Sequence, residues 1–116
     1  MISSIVFPSL AVSPTRVYPY VSDAVKGRGY YSTGGMHAAQ VSTSNGFIGS
    51  VKLQATLAAK PTETDWFDVD DSVVGDGVTT VPDQALIINF KGNFVWVRAV
   101  ITQFTAGELN RVLFQI

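Results

Sequence analysis

Apolar and polar residues alternate along most of this chain with the period of two that a half-buried β-strand requires, and the 3.6-residue period of a helix is nearly absent. The clearest stretch sets Val51, Leu53, Ala55 and Leu57 on one face and Lys52, Gln54 and Thr56 on the other. β-Branched and aromatic residues gather in short runs punctuated by Gly, Pro, Asn and Asp, as strands do. Ile2 to Phe7 and Thr15 to Tyr18 are stopped by Pro8 and Pro19, which cannot donate to a ladder, so both read as edge strands or arms.

From Met36 onward the pattern predicts a strand over about His37 to Thr43, a Ser44-Asn45-Gly46 turn, and a long strand carrying the alternation above. Asp65 to Val69 is a further strand, in which Trp66 and Phe67 point to opposite sides. Ala85 to Lys91 and Phe94 to Phe104 read as a hairpin about Gly92-Asn93, its second arm apolar on both faces and therefore central or interfacial. A turn over residues 105 to 110 precedes a last strand from Arg111 to Ile116. Roughly eight strands with turns every 8 to 12 residues predict an all-β chain, an antiparallel β-sandwich or jelly roll. The expected core and fold residues are Leu53, Leu57, Trp66, Phe94, Trp96 and Val97.

At 116 residues the chain has room for one core, so it is read as a single domain. Within it, residues 1 to 35 are expected to form a Pro- and Gly-interrupted, partner-facing arm and residues 36 to 116 the sandwich. The arm holds the amphipathic and apolar side chains proposed as a partner interface: Ile5, Phe7, Tyr18, Tyr20, Tyr30 and Tyr31.

Composition narrows the function classes. Hydrophobic residues make up 47% of the chain and charged ones only 15%, a neutral surface suited to being covered by partners. Eight Lys and Arg, scattered singly from Arg16 to Arg111, give no basic footprint for nucleic acid. No apolar run approaches the roughly 18 residues of a membrane span, and no signal-peptide pattern opens the chain, so no membrane partner is expected and synthesis in the cytoplasm is. The absence of cysteine removes disulfides, thiolate nucleophiles and Cys-type zinc sites.

Candidate chemistry is sparse. Glu63, Asp65, Asp68, Asp70, Asp71, Asp76 and Asp83 crowd one stretch without a Lys or Arg among them, and Asp68, Asp70, Asp71 and Asp76 make a candidate calcium site. Their spacing lacks the closing bidentate Glu of an acidic calcium loop, so a solvated loop or short edge hairpin over 70 to 84 is the expectation, with no metal and no cofactor. The single histidine, His37, has no second ligand or nucleophile elbow to pair with. Lys26-Gly27-Arg28-Gly29 lacks the spacing of a phosphate loop. Arg98, one strand repeat from Trp96, is expected to be a snorkelling Arg beside the core, the alternative being a guanidinium laid on that indole. No nucleophile, base and oxyanion donor assemble at recognisable spacing, so the chain is not read as an enzyme.

Three segments together resemble small virion structural proteins of tailed bacteriophages, especially the contractile-tailed phages of cyanobacteria. They are Gly46 to Leu57, Pro61-Thr62-Glu63-Thr64-Asp65-Trp66-Phe67, and Phe90-Lys91-Gly92-Asn93-Phe94-Val95-Trp96-Val97-Arg98-Ala99. The resemblance implies a β-sandwich located in the virion, decorating the capsid or forming part of neck, tail or fibre, and associating with itself as a homo-oligomer and with other virion proteins. It implies fold roles for Trp66, Phe94 and Trp96. The alternative, from a different class, is a carbohydrate-binding sandwich attaching to host glycans through Tyr20, Tyr30 and Tyr31.

Overall fold

Two strands dominate the structure: β5, Met36–Thr56, of 21 residues, and β8, Trp96–Gln115, of 20 residues, paired antiparallel along their length. An extended strand of β5's length would measure about 70 Å. The whole molecule is only 38 Å in its longest dimension, so both strands must fold back on themselves. The bend lies where the β5–β8 register is irregular, between Ser42 and Val51. There Asn45 and Gly46 adopt φ of 57° and 73°, opposite Gly107 at 79°. Left-handed backbone of this kind is strained for most side chains, and at Gly107 a Cβ would also collide with the backbone of Phe47. The computed structural model describes all residues except 1, 2, 12, 14, 15, 28, 30–34 and 116.

The same odd-numbered face of β5 is buried on both sides of the bend: His37, Ala39, Val41 and Thr43 before it, Phe47, Val51, Leu53 and Ala55 after it. A sheet that hides one face over such a length has to close over that face, and the bend does this. Among the described residues there are eight strands in one antiparallel sheet. In the first layer, β7 (Gln84–Lys91), the first half of β5, the second half of β8 and β1 (Ser3–Phe7) lie side by side, with β2 (Leu10–Ala11) continuing the edge. In the second layer, β6 (Phe67–Asp68), the second half of β5, the first half of β8 and then β3 (Tyr20–Val21) and β4 (Val25–Lys26) follow in order. One cluster joins Val41, Ile88, Val112 and Phe114 of the first layer to Val51, Leu53, Val97 and Ile101 of the second. The fold is therefore all-β, an antiparallel sandwich made by folding one sheet in two.

Several local expectations change with this topology. The turns predicted at Ser44-Asn45-Gly46 and over 105 to 110 are the two sides of the bend, inside continuous strands. The turn chemistry is the same, but the flanking halves pair with other strands and not with each other. The hairpin predicted about Gly92-Asn93 is absent: β7 pairs with the first half of β5, whereas β8 begins in the other layer. Phe94 fills that crossing, packed against His37, Phe67 and Phe90 at centroid separations of 5.6, 5.5 and 6.0 Å.

The N-terminal segment expected as an arm runs as a broken edge strand along β8, from Gln115 back to Trp96. A register shift between Ile5 and Phe7 turns both Val6 and Phe7 inward. Phe7, expected at a partner interface, is therefore core at 2% exposure, while Ile5 stays 58% exposed. Leu57, expected in the core, is 65% exposed because β8 begins opposite Thr56 and leaves nothing to cover the next residue. The acidic stretch is not simply a solvated loop either. Its apolar residues Val74 and Val81 are buried and bridge Val51 and Phe47, and the buried Ser72 hydroxyl accepts from Leu53 N–H at 3.1 Å and donates to Val69 O at 2.6 Å.

Candidate functional site

On the outer face of the second layer lies a groove of about 420 Å³, within the roughly 300–1,000 Å³ typical of ligand sites. Strand register determines its floor. Gln54 on β5 stands opposite Arg98 on β8, and Lys52 stands opposite Val100, which in turn neighbours Val21 on β3. All five side chains point away from the core because they alternate with Leu53, Val97, Ala99 and Ile101. Tyr18 and Pro19 come in from the β3 side and Glu63 and Trp66 from the β6 side, so the groove crosses the sheet from edge to edge.

The segment Pro61-Thr62-Glu63-Thr64-Asp65-Trp66 is shaped for this position. Glu63–Asp65 is a single 3₁₀ turn, closed by Asp65 N–H donating to Thr62 O at 3.0 Å and by the Asp65 carboxylate accepting from Thr62 N–H at 2.7 Å. The turn delivers Trp66 onto Arg98, whose guanidinium carbon lies 4.1 Å from the indole centroid. Arg98 therefore stacks on Trp66, and not on Trp96 as the alternative reading had it. Trp96 instead donates its indole N–H to Ala59 O at 2.9 Å.

A continuous polar row crosses the groove floor. Lys52 Nζ pairs with Asp68 at 3.1 Å, Gln54 Nε2 donates to Asp68 at 3.0 Å, Arg98 Nε donates to Gln54 Oε1 at 2.9 Å, and the Arg98 fork meets Glu63 at 3.3 and 3.4 Å. The Gln54 amide is oriented by this row, since only one setting gives both neighbours a complementary atom. The hydrogen bond from Gln54, then that from Lys52, holds the Asp68 carboxyl below its usual range. Each cation in the row faces a carboxylate, so the groove is electrically balanced. Arg98 and Val100 are only 7% and 3% exposed although they face away from the core, so the start of β8 is covered on both faces. At the far wall the Tyr18 hydroxyl is shielded from solvent with no hydrogen-bond partner among the described residues.

The other candidates lie apart from this arrangement. Tyr20 stacks on Phe7 at 5.7 Å and receives Arg16 at 5.3 Å, and Tyr30 and Tyr31 fall outside the described residues. The four acids of the candidate calcium site do not converge. Asp68 is bound to Lys52 and Gln54, and Asp70 and Asp71 are exposed. Asp76 is turned to the amides of Thr79 and, next, Val78, which hold its carboxyl below the usual range. No group of three or more His, Asp or Glu able to hold a metal occurs among the described residues. His37 is buried between Phe90 and Phe94.

Sequence reasoning missed Lys52, Gln54, Glu63 and the site role of Trp66. The alternation about Val51 to Leu57 already assigned Lys52 and Gln54 to the wet face. What it lacked was the register that sets that face beside Arg98 and under Trp66.

By architecture the protein belongs to the all-β antiparallel sandwiches. No protein family matches the chain, and no curated protein does. Among solved structures it is similar to CBM29_1, a family 29 carbohydrate binding module from Piromyces equi, with 11% identity, a TM-score of 0.44, and coverage of 97% of this chain and 89% of that one.

Proposed function

We propose that this domain is a non-catalytic recognition module that binds a neutral glycan in the groove between Tyr18 and Trp66. The observation that carries the reading is the ordered row Lys52, Asp68, Gln54, Arg98 and Glu63 between two aromatic walls. Sugars present apolar C–H faces that pack on aromatic rings and a rim of hydroxyls that both donate and accept. A row of mutually paired donors and acceptors, oriented at its centre by Gln54 and Arg98, meets such hydroxyls with little rearrangement, which limits the entropy lost on binding. The balance of charge favours an uncharged ligand, because a uronate would have to displace Glu63 or Asp68 from its cation.

The non-catalytic half of the reading rests on the carboxylates. Glycoside hydrolysis needs a carboxylic acid kept protonated by a raised pKa. Asp68 is shifted the other way, and Glu63 is 82% exposed and engaged with Arg98. The test is titration with a panel of neutral oligosaccharides, followed by calorimetry and by Trp fluorescence. Saturable binding that disappears in Trp66→Ala and Gln54→Ala supports the proposal. No binding at millimolar sugar, or binding unchanged by both variants, refutes it.

A second reading is self-association through a sheet edge, as a virion homo-oligomer would need, and the observation behind it is β7. Among the described residues this strand pairs with β5 alone, and it exposes Leu86 and Ile87 at 38% and 55%. An unpaired apolar edge of this kind is one that proteins usually cover. Sedimentation of the free protein distinguishes it: a monomer at all concentrations, unaffected by Ile87→Lys, removes this reading.

A further inference from the structure

Beside the groove lies a second depression of about 360 Å³, lined by Phe67, Asp68, Asn89, Lys91 and Phe94 among others. The two are linked through Asp68. Asp68 lines the second depression and is bonded at 3.0 and 3.1 Å to Gln54 and Lys52, which line the first. Each offers an aromatic surface, Trp66 in one and the 41% exposed Phe67 in the other. These are successive residues entering β6, so their rings point to opposite sides of that edge strand. Phe67 is held there edge-on against Phe94, with centroids 5.5 Å apart. Asn89 and Lys91, both exposed on β7, supply neutral and cationic donors around it.

Resting on the glycan-binding reading, we infer that the ligand is a chain of several sugar residues, not a terminal monosaccharide, running from the groove over Asp68 and around edge strand β6 onto Phe67. The groove alone accounts for a ligand at Trp66. It gives no reason for a second exposed aromatic ring flanked by polar side chains one hydrogen bond away. An exposed Phe on an edge strand is otherwise a liability for aggregation, and a chain that passes over it uses it as a second stacking surface.

The experiment is calorimetric titration with malto-, cello-, xylo- and manno-oligosaccharides of one to six units, with amide chemical-shift mapping. For the series that binds, affinity is expected to rise with chain length, and only the longer members shift the amides of Phe67, Asn89 and Lys91. Phe67→Ala is expected to weaken the longest ligand about tenfold, the worth of one aromatic contact, and to leave the shortest unchanged. Asn89→Ala, at an exposed position outside the core, is expected to act in the same direction if Phe67→Ala proves poorly folded. Affinity independent of length, or longer ligands that neither shift Asn89 nor respond to its substitution, overturns the inference while binding lost in Trp66→Ala keeps the proposed function. Failure of every series to bind overturns both.

Discussion

Replacing Arg98 by Ala tests whether the groove floor is held by stacking and hydrogen bonding or by charge pairing. Arg98 is 7% exposed, lies 4.1 Å from the Trp66 centroid and donates to Gln54 at 2.9 Å, whereas its ionic partner Glu63 has a side chain 82% exposed. A desolvated cation–π contact is worth up to about 2 kcal/mol, and the hydrogen bond to Gln54 about 1 kcal/mol. The solvent-screened pair with Glu63 adds between about 0 and 1 kcal/mol. Arg98→Ala should therefore cost about 3 kcal/mol, lowering Tm by roughly 12 °C for a domain of this size. Arg98→Lys should lose more than half of that, since an ammonium keeps the charge but not the plane. Glu63→Gln should cost less than about 1 kcal/mol. Urea unfolding followed by Trp fluorescence, with a double-mutant cycle pairing Arg98→Ala with Trp66→Leu, gives all of these values. A Glu63→Gln loss equal to that of Arg98→Ala, or an Arg98→Lys variant as stable as the parent, would refute the reasoning.

Three further outcomes follow from the packing and the charges. Phe7→Ala, at a residue 2% exposed, should cost about 3–5 kcal/mol in denaturant unfolding; a loss below about 1 kcal/mol would mean that the N-terminal segment is an appended arm after all. Ser72→Ala strands the buried Leu53 N–H and should cost about 1–3 kcal/mol, with faster hydrogen exchange at Leu53; unaltered exchange there would contradict the assignment. Asp68 and Asp76 have folded-state pKa values lowered from 3.8, so their stabilising effect is complete above that value and is lost as pH falls through the folded values. Tm should hold steady from neutral pH down to that point and then drop, with a smaller acid drop in Asp76→Ala; stability that rises in acid would show the sign to be wrong.

Much of the architecture was legible because strand chemistry is local. The period-two alternation, the punctuation by Gly, Pro and Asn and the absence of helical period define an all-β chain, and Leu53 and Val97 are fully buried where the pattern places them. The bend was visible only as turn residues. Asn45-Gly46 and Gly107 are the residues a turn uses, and a strand that folds over its own face needs the same left-handed backbone. Whether such a signal ends a strand or bends it depends on which strands lie alongside, and that is not written locally. The same limit explains the false hairpin about Gly92-Asn93, because β7 and β8 are adjacent in sequence but begin in different layers.

The sequence by itself determined the class of fold, the single core and the faces of its strands, because side-chain alternation and backbone propensity act over a few residues. Only the tertiary structure decided the register of β5 against β8 and the docking of the Glu63–Asp65 turn. These long-range pairings bring Lys52, Gln54, Trp66 and Arg98 together from positions as much as 46 residues apart. The groove exists because closure of the sheet buries one face completely and leaves the other to be organised by whatever loops cross it.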